Sequence, residues 1–353
     1  MKPIFTFLIM FACLSVMAGN KVHSTVDKRV EVLSIIFRLA GNPEYNMKFA
    51  KRYVNDIHTY FDAYKNDPVV NFAKELSTKK NMGFSKVMFL AVHLQYMNKG
   101  FSLIKESESN LKGKWAEEDA IKFVKLLNDF YHRSKFDTFF KVHKSEYDEA
   151  TKQFDQSVSA FDQQWYLDYY GDHEVDYQVI LGLGDGGANY GPSVSPIGKK
   201  RLVYAIMGSW TFNEDGNPMF PKAIYLTYLI HEFNHSFVDH ILEENKDLEI
   251  LLQSSGEKLL DKKKNEMKLE GYEDWHSLID ESLVRASVVR YMIDHQETPE
   301  AIAQEISVQQ KKGFVWMGEL VALLGEYESS RATYPTFKSF YPRITAFFNQ
   351  VAI

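Results

Sequence analysis

Between Tyr225 and Val238 the chain reads Tyr-Leu-Thr-Tyr-Leu-Ile-His231-Glu232-Phe-Asn-His235-Ser-Phe-Val. His231 and His235 lie four residues apart, so on a helix both imidazoles leave the same face. Apolar residues at Ile224, Leu229, Ile230, Phe233, Phe237 and Ile241 surround the pair, and no proline interrupts them. Two such imidazoles can hold one ion, and zinc accepts neutral imidazole readily. A catalytic zinc needs a third protein ligand and one position left open. The fold must therefore bring a second element, bearing a histidine or a carboxylate, against this helix. Glu232 follows the first histidine directly, which places it beside the open position, where it can take a proton from water.

A histidine six residues beyond His235 would complete one known spacing, that of the metzincins, but position 241 is Ile241 and His240 falls one residue short. The stretch from Tyr272 to Arg290 offers Glu281, which at helical spacing aligns with Leu278, Val284 and Val288. A carboxylate on an apolar stripe is costly to bury without a partner. A metal ion is one such partner and Arg285, at i+4, is another. Asp280, His276 and His240 are alternative ligands.

Around this motif the chain predicts a mainly α protein with a small β-sheet (α+β). Asp27 can cap a helix from Arg29 to Leu39 that Gly41 ends, and Asn42-Pro43-Glu44 starts a second. Further helices are expected over Val69–Leu76, Phe84–Met97, Ala116–His132 and Phe136 to about Tyr170, with Glu106–Gly113 a loop. The period changes near Glu174: Val175–Leu181 and Arg201–Met207 read as strands, joined by a Gly/Pro/Ser-rich segment from Gly182 to Gly198. Asn213–Pro218 reads as a turn, and helices resume at Pro221, most periodic over Leu278–Met292 and Phe314–Tyr327.

Lys2, the apolar run Ile4–Met17 and Ala18-Gly19-Asn20 have the form of a secretory signal peptide, so residues 1–18 are set aside. The run is shorter than the roughly 20 residues a membrane span needs, and Met10-Phe11-Ala12 before Cys13 fits a lipoprotein box poorly. Removing residues 1–18 takes the only cysteine and leaves 40 basic against 47 acidic side chains. Such a balance argues against nucleic acid, which requires a basic face. Without a thiol, any metal is held by nitrogen and oxygen alone, which suits an oxidising compartment. The expected organisation is a signal peptide (1–18), a helical N-terminal region (19–170) and a catalytic region (171–353).

Several other features carry less. Gly182-Leu-Gly184-Asp-Gly186-Gly187 matches a dinucleotide fingerprint, but Pro192 and Pro196 follow where a helix should begin, so a flexible loop is expected. Asp215-Gly216-Asn217 is a turn, Lys262–Lys264 a solvated face, His93 a core histidine, and the stripe Phe130, Tyr131, Phe136, Phe139, Phe140 helix packing.

His231, Glu232 and His235 followed by a glutamate on a later helix resemble the gluzincin metallopeptidases, although Glu281 lies 46 residues beyond His235, a longer separation than in many of them. The whole mature chain is similar to an uncharacterised family of exported bacterial proteins through Arg29–Gly41, Val87–His93 and the Phe233-Asn234 form of the motif. The resemblance implies a zincin-like core, an exported address (periplasmic or secreted) and a peptide or protein substrate. It also implies that the Gly182–Gly198 loop and the Leu202–Gly208 strand border the cleft, because gluzincins of this layout bind extended peptide along an edge strand. His231, His235 and Glu281 would hold Zn²⁺ with Glu232 as the base. A tetrahedral oxyanion needs a further donor, for which Tyr291, His276, Tyr272 and Tyr204 are candidates. A second reading is an exported binding or scaffold protein on the same fold without turnover.

Overall fold

The computed structural model describes residues 22–353 except 48, 106–110, 112 and 244. The expected signal peptide lies outside the described residues, as does most of the expected Glu106–Gly113 loop. The architecture is mainly α with a small sheet. After β1 (Ser24–Thr25), Asp27 accepts the Arg29 N–H and starts α1 (Lys28–Ala40), which Gly41 closes in the left-handed conformation, both as the sequence predicts. Pro43 opens only a 3-10 turn, Pro43–Asn46, before α2 (Lys51–Phe61). Next come α3 (Pro68–Lys80), capped by Asp67, and α4 (Ser85–Val92).

A larger departure from the expected elements follows α4. The apolar run that predicts helix to Met97 instead folds back as a hairpin, β2 (Leu94–Met97) and β3 (Gly100–Leu103). Asn98 and Lys99 both have positive φ, 53° and 63°, the geometry of a primed two-residue turn whose twist suits paired strands. Then come α5 (Glu117–Arg133), α6 (Phe136–Val142), α7 (Lys144–Ser157) and α8 (Gln163–Tyr170), so the single stretch expected from Phe136 to Tyr170 is three helices.

The sheet has the order β1-β4-β6-β5, formed with β4 (Val175–Gly182), β5 (Ser193–Val194) and β6 (Arg201–Gly208). β4 and β6 are parallel over their full length, Val175 opposite Arg201 and Gly182 opposite Gly208. β5 runs antiparallel on the other side of β6, where Tyr190 also bridges Ile206. The outer edge nearest the motif is therefore the Tyr190–Val194 segment, with β6 inside it. Just beyond this edge, Ile197 donates its N–H to the Lys105 carbonyl.

The Gly182–Gly187 loop is pinned rather than flexible. The Leu183 and Gly184 N–H groups, which would face phosphate in a dinucleotide site, donate instead to the buried Glu31 carboxylate of α1. Arg38 donates to the Gly184 carbonyl, and Asp185 accepts the Gly187 N–H. Burial raises the pKa of both Glu31 and Asp185.

The C-terminal half is helical: α9 (Lys222–Glu243), α10 (Lys246–Lys262), α11 (Lys264–Glu270), α12 (Trp275–Asp294), α13 (Pro299–Lys311), α14 (Met317–Ser329) and α15 (Phe337–Val351). α9 carries the His-Glu-x-x-His motif between β6 and α12. α12 meets α9 through the face that carries Glu281 and Val284, while Ser282 and Ser287 face Trp316 and Tyr169. Buried apolar residues form one continuous cluster running from Val30 to Ala352. His93 is buried with its ring stacked on Phe89, and Phe130, Tyr131, Phe136 and Phe139 are core, as expected. Among the described residues no helix is long and apolar enough to cross a membrane.

Candidate metal centre

α9 is held by polar anchors that a helix with one exposed face would not need. Asn234, fully buried between the two histidines, donates to the Val284 carbonyl of α12 and accepts from the Tyr170 hydroxyl. Tyr166 donates to the Ile230 carbonyl, and Ser236 reaches the Gly191 and Pro192 carbonyls beside β5. Gly191 meets the helix so closely that a Cβ there would lie 1.9 Å from the Glu232 carbonyl oxygen and 2.9 Å from the His235 Cβ. Gly191→Ala should consequently push β5 off α9, lowering stability by about 1–3 kcal/mol as overpacked sites do. Thermal unfolding checks it, and an unchanged melting temperature would show that the segment yields freely.

These anchors, with α12, bring His231, His235 and Glu281 together, so that one ligand atom from each lies within 4.8 Å of the other two. The two Nε2 atoms are 3.2 Å apart, His235 Nε2 is 3.3 Å from Glu281 Oε1, and His231 Nε2 is 3.7 Å from Glu281 Oε2. Ligands at about 2.0–2.1 Å in a tetrahedron are separated by about 3.3–3.4 Å. This group can hold a metal ion.

The stripe that predicts burial of Glu281 is real: Leu278, Val284 and Val288 are buried with it. Its two proposed partners turn out to be compatible. Arg285 Nε donates to Glu281 Oε2 at 2.9 Å, while Oε1 faces His235. The remaining guanidinium nitrogens donate to Gln309 Oε1 and the Tyr272 hydroxyl, and the group lies over the Phe314 ring. Burial raises the Glu281 pKa, but the facing Arg285 guanidinium above all, with the imidazoles beside it, outweighs that and holds the carboxyl well below its usual range.

The histidines differ electrostatically. Burial lowers His231 to about 3, leaving it neutral as a ligand must be. Burial also lowers His235, but Asp239 and Glu281 overcome that and raise it well above 6.5. His235 Nδ1 donates to Asp239 Oδ1 at 3.1 Å, which turns Nε2 toward the other ligands. Asp239 is absent from the sequence-level candidates, although its i+4 spacing from His235 was legible. Glu232 is 5% exposed and outside the ligand trio, and burial raises it to about 8.

Of the four candidate oxyanion donors, only Tyr272 shares the ligands' hydrogen-bond chain, through Arg285. Tyr291 donates to the Ala160 carbonyl and accepts the Asp162 N–H. His276 pairs with Glu249 on α10, and Tyr204 faces Arg29. Asp280 and His240 lie outside the ligand group.

A family model described as a domain of unknown function, DUF4932, matches residues 22–347. The chain belongs to that family. No curated protein and no solved structure matches it. The match takes in both the N-terminal helices and the ligand trio, so the residues that pin α9 from Tyr166 and Tyr170 fall within one family unit with the site they support.

Proposed function

We propose that this protein is an exported zinc-dependent hydrolase acting on peptide or protein substrates. The observation that carries the reading is a group of two imidazoles and a carboxylate, His231, His235 and Glu281, whose ligand atoms lie within 4.8 Å of one another, with the buried Glu232 next in the chain to His231 and outside the group. Nitrogen and oxygen donors in that number suit zinc with an open position. When bound, the ion would supply Lewis acidity, lowering the pKa of a water and polarising the substrate carbonyl. Glu232, next in the chain to the first ligand, would accept a proton from that water and pass it to the leaving group. Asp239 fixes the His235 tautomer and Arg285 fixes Glu281. Tyr272, hydrogen-bonded to Arg285, is the residue of the four candidates best placed to steady a developing negative charge. Export rests on Lys2, the apolar run to Met17 and Ala18.

Zinc content of purified wild type and of His231→Ala tests the first step, with one ion per chain expected in the former and none in the latter. Hydrolysis of a peptide library tests the second, and zinc without any turnover would instead favour a non-catalytic binding protein. Uptake of zinc should also release a proton at pH 7. The raised His235 pKa means that its ring carries a proton the ion must displace, so apparent affinity should rise with pH by up to about tenfold per unit until His235 is neutral. Calorimetry in buffers of different ionisation enthalpy reads this directly, and buffer-independent heats would contradict it. Thiol oxidants should leave activity intact, since residues 19–353 contain no cysteine.

A further inference from the structure

The line of residues that carries the ligands continues beyond them. Ile224, Tyr228, His231 and His235 fall at i, i+4, i+7 and i+11, one line along the face of α9. Most of the apolar residues flanking the motif are buried, yet Ile224 is 40% exposed and Tyr228 43%. Trp210 backs this strip, stacked on Tyr225 at 4.3 Å and edge-on to Tyr228 at 5.4 Å. Met219, also exposed, is tied to the same loop by its N–H to the Thr211 carbonyl. On the other side of His235 lies a small recess of about 30 Å³, lined by Phe89, Lys114, Pro192, Ser193, Asp239 and His240. His235 thus has the exposed aromatic strip on one side and this small, mixed recess on the other.

Resting on the zinc-hydrolase reading, we propose that Tyr228 and Ile224, backed by Trp210, form a specificity subsite for a large apolar side chain. The substrate class is then a peptide with an aromatic or long aliphatic residue next to the bond that is cleaved. Tyr228 lies three residues before His231, about 4.5 Å along the helix axis, so a side chain adjoining a carbonyl at the ligand trio reaches its ring. A rigid aromatic surface offers much contact area at little entropic cost. Ile224 and Tyr228 are neighbours one turn apart on α9, so their exposed apolar surfaces adjoin rather than lying scattered.

Two hydroxamates, which reach a metal through their own oxygens, separate the subsite from the metal. Zinc-loaded wild type should bind 3-phenylpropanohydroxamate at least about tenfold more tightly than acetohydroxamate, the increment expected for partly burying one phenyl group. In Tyr228→Ser and in Ile224→Ser/Tyr228→Ser the preference should shrink to about twofold or less, while zinc content and acetohydroxamate affinity hold. Both positions are about 40% exposed, so the variants should fold, and their thermal unfolding is checked alongside. Equal binding of the two hydroxamates by wild type, or an undiminished preference in the double variant, overturns the subsite while leaving the metal reading intact. If wild type takes up no zinc, the metal reading fails and the subsite falls with it.

Discussion

Glu232→Gln should keep one zinc per chain and lose hydrolysis by about a thousandfold, the scale of a lost general base. The substitution preserves shape but removes the ability to accept a proton. Metal binding should survive because Glu232 contributes no atom to the ligand trio. Folding should survive as well: burial already raises Glu232 to about 8, so near neutral pH without the ion the side chain is largely uncharged, and an amide replaces a mostly neutral acid. Glu281→Gln reverses the pattern, since its carboxylate is a ligand, and should lose zinc. Metal analysis and peptide turnover on both variants separate the two roles. Full activity in Glu232→Gln would remove this residue from the chemistry.

Arg285→Met should destabilise the zinc-free protein by about 3–5 kcal/mol, the cost of leaving one member of a buried ion pair without its partner. Arg285 is 8% exposed and Glu281 7%, so water replaces little of what is lost. The sign of the pH dependence follows. Glu281 has a depressed pKa in the folded protein, so its contribution is present above the unfolded value near 4.5 and is lost as pH falls through the folded value. Without Arg285 the largest favourable influence on the carboxylate disappears, its folded pKa rises, and the stability deficit is widest near neutral pH. Zinc should restore part of the deficit by giving Glu281 a second positive partner. Denaturant unfolding with and without zinc measures both effects, and a variant as stable as wild type in the absence of metal would contradict them.

The sequence reveals local periodic features best. His231 and His235 are legible because i, i+4 spacing fixes a common face whatever surrounds the helix. Glu281 is legible because its apolar stripe predicts burial, and burial demands a partner. Arg285 and the ion stand as rivals at that level, since spacing cannot tell which carboxylate oxygen faces which neighbour. The structure gives Oε2 to the arginine and Oε1 to His235. Gln309 and Tyr272, which complete the arginine's contacts, come from other parts of the chain and leave no periodic signal. The Leu94–Leu103 hairpin is hidden by an apolar run that also fits a helix. Its turn, Asn98-Lys99 before Gly100, was the available clue. β5 is two residues long and too short for any period, although it sets the sheet edge beside the motif. Ile224 belongs to the motif's apolar surroundings by sequence yet faces outward in the fold.

Zinc K-edge absorption on the purified protein, with total metal content, decides whether His231, His235 and Glu281 form one centre. One zinc per chain is expected, with two imidazole nitrogens at about 2.0–2.1 Å and carboxylate and solvent oxygens completing a four-coordinate shell. Histidine scattering should be lost in His231→Ala. A protein that binds no zinc, or whose zinc signal is the same in wild type and His231→Ala, would contradict the assignment.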